Sequence, residues 1–95
     1  MSALWIAHVT VTDAEAYGRY AAIASEVIPD HGGVFIARGG RVVHLEGTER
    51  PRNVVARFPS VEAAVAAYQD PRYQEAVKIA QGASERDLMV IEIDD

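Results

Sequence analysis

The sequence predicts an α+β fold in which helices cover one face of an antiparallel sheet, with the elements in the order β-α-β-β-α-β. Two observations lead to this prediction. Runs rich in β-branched residues alternate along the chain with longer segments whose apolar residues recur at helical spacing. Two runs in the middle of the chain are separated only by a turn at residues 47–51, which predicts a hairpin and therefore antiparallel pairing.

The first strand and the first helix come from the opening third of the chain. Residues 4–11 are a β-branched, aromatic-bearing run and are predicted to be a strand. Thr12 is predicted to cap the following helix, because Glu15 three residues later completes a capping box. The apolar face of that helix is Tyr17, Tyr20, Ala21, Ala24, Val27 and Ile28. Pro29 and the turn at Gly32-Gly33 are predicted to end it.

The middle of the chain is predicted to contribute three short strands, at residues 34–37, 42–46 and 53–58. Gly39-Gly40 separates the first two and is interpreted as a tight turn or a bulge, since glycine tolerates a positive φ. The second predicted strand is therefore a divided one.

Two helices and a strand are predicted for the rest of the chain. Ser60 caps an alanine-rich helix that ends at Gln69, and Asp70-Pro71 starts another helix that ends at Gln81-Gly82. The last strand is predicted at residues 88–93. This order of elements is the split βαβ, ferredoxin-like plan, and we expect it to form a single domain over residues 1–95.

The composition excludes several classes of function. The proportions of 49% hydrophobic and 24% charged residues indicate a folded globular domain. A net charge of −5 offers no basic footprint for nucleic acid and no attraction to an anionic membrane. The absence of cysteine excludes disulfides and thiolate chemistry. We expect a cytoplasmic location, because no apolar run approaches a membrane span and the N-terminus lacks a signal-peptide pattern.

Alternation along the predicted strands separates two faces of the sheet. One face is wholly apolar and is predicted to lie under the helices: Trp5, Ala7, Val9, Val11, Val54, Ala56, Phe58, Met89, Ile91 and Ile93. The other face is mixed: Leu4, Ile6, His8, Thr10, Val34, Ile36, Arg38, Asn53, Val55, Arg57, Leu88, Val90 and Glu92. The mixed face is too apolar for water and too polar for a dry core. We therefore predict a homodimer whose sheets face each other across a partly polar cavity.

Short motifs along nearly the whole chain resemble those of a known family. They are Trp5-Ile6-Ala7-His8-Val9, Val11-Thr12-Asp13, Tyr17, Tyr20, Gly32-Gly33, Arg38-Gly39-Gly40, Glu46-Gly47, Pro51-Arg52, Phe58-Pro59-Ser60, Tyr68, Pro71-x-Tyr73 and Gly82. In this order and spacing they resemble the DUF1330 family, a domain of unknown function. The resemblance implies the dimeric α/β-barrel superfamily, whose ferredoxin-like subunits pair through their sheets. Other barrels of that superfamily include cofactor-independent monooxygenases, muconolactone isomerases, haem-dependent chlorite dismutase-like enzymes and stress-response proteins.

His8 is the predicted catalytic residue. It lies in the middle of the first strand on the mixed face, and the strand holds it rigidly. An imidazole in that position can act as a general base or acid near neutral pH. The alternative is a structural histidine that is hydrogen-bonded across the dimer.

Arg38, Arg57 and Glu46 are the predicted ligand-binding residues. Guanidinium groups match planar anions, and Arg38 and Arg57 share the predicted cavity face. Arg52 lies five positions from Arg57 and therefore points to the opposite face. Glu46 is placed near the rim of the cavity. The alternative is ion pairing, of Glu46 with Arg38 or Arg52, or of the arginines with Glu46 or Glu92.

The leading hypothesis is a small homodimer that binds a small organic molecule between its two sheets. An anionic molecule is one form of this hypothesis. The enzymatic alternative is a cofactor-independent monooxygenase or isomerase in which His8 carries a proton. The other alternative is a non-catalytic dimer, either stress-associated or structural. We expect no cofactor and no metal, because cysteine is absent and His8, His31 and His44 lack the spacing of a metal site.

Overall fold

Four strands and three helices make up the computed structural model, which describes residues 1–95. In chain order they are β1 (Ala3–Val11), α1 (Ala14–Asp30), β2 (Val34–Arg38), β3 (Arg52–Phe58), α2 (Val61–Gln69), α3 (Pro71–Ala83) and β4 (Ser84–Glu92). The strands form one sheet in the order β2-β3-β1-β4, and every neighbouring pair is antiparallel. The predicted α+β, ferredoxin-like fold is therefore confirmed.

The helices begin where short polar side chains can cap them. Ser60 accepts a hydrogen bond from the backbone N–H of Ala63, and Asp70 accepts one from the N–H of Arg72, so both predicted caps are confirmed. The cap of α1 is Asp13 rather than the predicted Thr12, whose N–H donates to the carbonyl of Ala83 instead. None of the helices has the length and apolar character that crossing a membrane requires.

The hydrophobic core lies between the helices and one face of the sheet. Its largest fully buried side chains are Trp5, Tyr73, Phe58, Ile28, Val9 and Val27. The rings of Trp5 and Tyr73 meet edge to face with their centroids 5.2 Å apart, which joins β1 to α3. The predicted burial of the apolar set on β1 and β3 is confirmed for Trp5, Ala7, Val9, Ala56 and Phe58.

The predicted strand at residues 42–46 is wrong. Residues 39–51 form a long loop without strand structure, which we call the β2–β3 loop. Gly39 starts it with a φ of +72°, and its N–H donates to the carbonyl of Asn53 over 3.1 Å. β3 already pairs with β2 on one edge and with β1 on the other, so neither edge of β3 is left for this segment.

The predicted faces of the last strand are inverted. Val90 pairs with Trp5 and Leu88 with Ala7, so Leu88 and Val90 lie under the helices and pack against the core. Met89 and Ile91 point to the other face, where they are 49% and 47% exposed. Alternation could not decide this question, because residues 88–91 are apolar at every position and only the register with β1 selects a face.

Candidate functional site

The sheet has one face that no helix covers, here called the open face. The strand registers place these side chains on it: Leu4, Ile6, His8, Thr10, Val34, Asn53, Val55, Arg57, Asp87, Met89 and Ile91. The β2–β3 loop stands beside one end of this face and encloses an open concavity of about 530 Å³. His8, Asn53 and Asp87 contribute to it from the sheet, and His44, Glu46 and Arg50 from the loop.

His8 and Asn53 form a hydrogen-bonded pair at the base of this concavity. They are directly opposite each other on β1 and β3, and His8 Nδ1 lies 2.5 Å from Asn53 Oδ1. The amide nitrogen of Asn53 donates to the carbonyl of Arg50 over 2.9 Å, which directs the amide oxygen towards His8. Because that oxygen can only accept, Nδ1 of His8 carries the hydrogen. Nε2 of the neutral imidazole therefore keeps its lone pair for a proton.

Arg50 anchors the end of the β2–β3 loop to the open face. Its Nε donates to Asp87 over 3.1 Å, and its Nη1 donates to the hydroxyl of Thr10 over 3.2 Å. Its carbonyl accepts from the side chains of Asn53 and His44, at 2.9 and 3.1 Å. The side chain of Arg50 is 19% exposed. This one residue therefore fixes the carbonyl that orients Asn53 and, through it, His8.

Two of the predicted ligand-binding residues lie on or beside the open face but not together. Glu46 is on the loop wall of the concavity, exposed and without an ion pair, so the pairing considered for it with Arg38 or Arg52 is wrong. Arg57 lies four residue pairs along β3 from Asn53, about 13 Å away. Its guanidinium donates to the carboxylate of Asp95 over 2.6 Å, so the charge of Arg57 is already paired within the chain.

The third, Arg38, is on the opposite side of the sheet from the prediction. A β-bulge between Phe35 and Ala37 adds a residue to β2, so that Arg38 comes opposite Val54 and points towards α1. There its Nη2 donates to the hydroxyl of Ser25, and its guanidinium lies 4.1 Å above the ring of Phe35. The bulge was considered at Gly39-Gly40, and its actual position changes the face.

The other two histidines have different partners. His31 contacts Asp70 over 3.0 Å and links the end of α1 to the start of α3. Hydrogen bonds from Arg72 and from His31 hold the pKa of Asp70 well below its usual value. His44, which falls in the wrongly predicted strand at residues 42–46, is half-buried in the β2–β3 loop. No group of three or more His, Asp or Glu side chains is placed to hold a metal ion.

Sequence reasoning missed the roles of Asn53 and Arg50. Asn53 was assigned to the same face as His8, but alternation carries no information on which residue of β3 stands opposite His8. Arg50 lay in a predicted turn, with no signal that its partners would come from β1 and β4. The one available signal was a short polar residue, Asn53, at the start of a predicted strand on the same face as His8.

The comparisons with known proteins agree with this fold. The model of the family described as "Domain of unknown function (DUF1330)" matches residues 2–93. The chain belongs to the DUF1330 family. No curated protein matches this DUF1330 chain.

Several solved structures are similar to this DUF1330 domain. RPA0582 from Rhodopseudomonas palustris, described as a protein of unknown function, is 26% identical, with a TM-score of 0.81 over 99% of this chain and 83% of that one. A dimeric ferredoxin-like protein of unknown function from Jannaschia sp. CCS1 is 16% identical, with a TM-score of 0.72 over 96% and 99% of the two chains. SnoaB from Streptomyces nogalater, a cofactor-independent oxygenase, is 10% identical, with a TM-score of 0.70 over 99% and 94%. The last two likenesses show the fold.

Proposed function

We propose that this DUF1330 protein is a homodimer of the dimeric α/β-barrel type, whose subunits pair through their open faces and enclose a cavity that binds a small organic molecule beside His8. The observation that carries the proposal is the hydrogen-bonded series from His8 through Asn53 to Arg50, set at the base of a concavity on the otherwise uncovered face.

The surface of a single chain supports the dimer. Val34, Met89 and Ile91 on the open face are 62%, 49% and 47% exposed, and Val43 and Leu45 on the β2–β3 loop are 65% and 87% exposed. Apolar side chains grouped in this way usually mark an interface. In a dimer with a two-fold axis, each subunit presents the same apolar surface to the other, so the open faces of both subunits are covered. Ferredoxin-like structures with the same fold are described as dimeric.

The concavity has the size and chemistry of a ligand site. Its volume of about 530 Å³ lies within the ~300–1,000 Å³ that such sites usually span. Polar groups form its base, and the β2–β3 loop adds both polar side chains and the apolar Val42, Val43 and Leu45, so a ligand here can be hydrogen-bonded and packed against apolar groups. Glu46 contacts the ligand from the loop side. Arg57, occupied by Asp95, stands outside this cavity.

The first experiment measures the mass of the protein by light scattering at micromolar concentration. We expect twice the 10.3 kDa of one chain. A monomer at that concentration contradicts the proposal, because the open face would then lie in water.

The second experiment screens a panel of small aromatic and aliphatic molecules by saturation-transfer NMR. We expect binders whose signal is lost in His8→Ala and retained in His31→Ala, a matched control because His31 lies at the α1–α3 contact. Binders that are indifferent to His8→Ala place the ligand elsewhere and contradict the proposed cavity.

A catalytic role is the second candidate function, favoured by the free Nε2 of His8. The likeness to SnoaB, described as a cofactor-independent oxygenase, is a likeness of fold and supports the candidate only by analogy. In this role His8 accepts a proton from a bound substrate, a contribution of typically 10²–10⁴-fold in rate. For a substrate found in the screen, His8→Ala should abolish turnover. Turnover that persists in His8→Ala refutes the proton role.

A further inference from the structure

We propose a second ligand site, on the helix side of the sheet, in which Arg52 and Arg38 bind the carboxylate of a small organic acid. The site goes beyond the function proposed for the open face and does not depend on it. It lies between α1 and the strands β2 and β3, where Tyr17, Ala21, Phe35, Arg38 and Arg52 line a common cavity, here called the arginine pocket.

Three arginines lie on this side of the sheet because of the way the strands are aligned. Val9 of β1 pairs with Arg52 on one neighbouring strand and with Arg86 on the other, so the two arginines flank it in one row, about 10 Å apart. The bulge in β2 brings Arg38 to the same side. Arg86 contacts the hydroxyl of Tyr73 over 3.2 Å, and its guanidinium lies 4.5 Å from the ring of Tyr20.

None of these three guanidinium groups has a carboxylate partner. Arg50, Arg57 and Arg72 each form an ion pair with an aspartate. Arg38, by contrast, has only the hydroxyl of Ser25, and half-buried Arg52 has no hydrogen-bond partner in the chain. In a protein with a net charge of −5, this is a concentration of positive charge that the chain itself leaves uncompensated.

A buried nitrogen indicates the same deficit. Nη1 of Arg86 is inaccessible to solvent and has no hydrogen-bond partner. Buried polar groups in proteins are nearly always hydrogen-bonded. This orphaned guanidinium N–H lies on the same side of the sheet as Arg52, about 10 Å away, and adds to the donors that the chain leaves without an acceptor.

Tyr17 also lines the arginine pocket. Burial raises the pKa of Tyr17, and the nearby charges of Arg86 and Arg52 partly offset that rise. The phenol is therefore protonated at neutral pH and offers a hydrogen-bond donor in the same pocket as Arg52. An acceptor bound here meets hydrogen-bond donors from several sides and no competing carboxylate.

The walls of the pocket select an organic acid over a bare inorganic anion. Nine of the eleven residues that line the inner cavity are hydrophobic, and its volume of about 30 Å³ leaves room beside the two arginines for little more than a group of carboxylate size. A separate surface pocket of about 340 Å³ shares Tyr17, Ala21 and Arg52 with this cavity and has room for the apolar body of a ligand. A carboxylate attached to a compact apolar body fits this combination: the charge at the arginines, the apolar part against α1.

The test uses benzoate as the probe, with benzamide as its neutral counterpart and inorganic phosphate as an anion without an apolar body. Binding is followed by calorimetry and by the side-chain Nε–Hε signals of the arginines in NMR spectra of the full chain. We expect saturable binding of benzoate that shifts the signals of Arg52 and Arg38, with no binding of benzamide. Loss of one charge-assisted contact in Arg52→Gln should weaken benzoate binding by at least about tenfold.

Three further variants make the result decisive. Arg19→Gln is the matched control, because Arg19 is an exposed α1 arginine without a hydrogen bond, and benzoate affinity should not change. Ala21→Leu fills the pocket without altering charge and should abolish binding. His8→Ala should leave it intact, which separates this site from the open face.

Benzoate binding that is unchanged in Arg52→Gln, or absent in the wild-type protein, overturns the proposal. So does phosphate binding as tight as that of benzoate, because the apolar walls would then contribute nothing.

Discussion

The two faces of this sheet carry similar kinds of side chain in opposite states. On the open face the charges are satisfied, as with Arg50 on Asp87, while apolar side chains such as Ile91 are exposed. On the helix side the apolar side chains are buried, as with Trp5, while Arg52 has no partner. Each face is therefore incomplete in its own way. The proposed dimer supplies an apolar cover to the open face, and the proposed organic acid supplies an anion to the helix side.

The largest expected effect concerns the cover of the open face. Ile91→Lys places a charge on the open face within the proposed interface, and burying that charge without a partner is costly. We expect the mass in light scattering to fall from two chains to one at micromolar concentration. Ala22→Lys, on the exposed surface of α1, is the matched control and should leave the dimer intact. If the Ile91→Lys protein stays dimeric, the open face is not the dimer interface.

The next effect tests how tightly the helix side is packed. A Cβ atom added to Gly33 would come within 2.5 Å of Ile28 and 2.7 Å of Phe58, so Gly33→Ala forces the core apart. We expect the free energy of unfolding to fall by about 1–3 kcal/mol, measured by urea denaturation. Gly40→Ala in the β2–β3 loop is the control, because a Cβ atom added there would meet no atom within 4 Å. It should leave the free energy of unfolding nearly unchanged. Equal losses would show that the core does not explain the effect.

The carboxylate of Asp70, at the start of α3, should make the stability of the fold depend on pH. The pKa of Asp70 is lowered by hydrogen bonds from Arg72 and His31, so the unfolded chain binds this proton more readily than the folded one. The resulting stabilisation is complete above the unfolded pKa of about 3.9 and is lost as the pH falls from there towards the lower folded pKa. Asp70→Asn, which keeps a good helix cap, should flatten the acid limb of a Tm-against-pH curve.

The control for that curve is Asp94→Asn, because Asp94 is exposed and forms no ion pair. The acid limb should keep its slope in this variant. An Asp70→Asn curve that follows the wild-type curve below pH 4 contradicts the role given to Asp70.

The smallest effect concerns the polar base of the concavity on the open face. Asn53→Ala removes the acceptor of His8 Nδ1 and should cost about 1 kcal/mol in the free energy of unfolding. The sharper readout is the tautomer of His8 in ¹⁵N NMR, which we expect to be Nδ1–H in the wild-type protein and a mixture in Asn53→Ala. A wild-type Nε2–H tautomer contradicts the geometry derived for the pair.

Two of the three helix caps, which neighbouring residues set, were predicted correctly, whereas several features set by pairing between strands were not. Ser60 and Asp70 cap helices through hydrogen bonds that span two or three residues, so their sequence signals were sufficient. The faces of Met89 and Ile91 were predicted wrongly because residues 88–91 are apolar throughout. The face of Arg38 was wrong because one bulged residue reverses the alternation of everything that follows it in the strand.

The order of most elements, most of the core and the place of His8 on the uncovered face followed from periodicity and local capping in the sequence, and the family followed from the resemblance of its short motifs. Only the tertiary structure decided which residues complete the two candidate sites. Asn53 reaches His8 across 45 positions of sequence, and Arg38 and Arg52 share a pocket through a bulge and a strand register. Such contacts depend on how strands align, and alignment is chosen by the packing of the whole domain rather than by any short stretch of it.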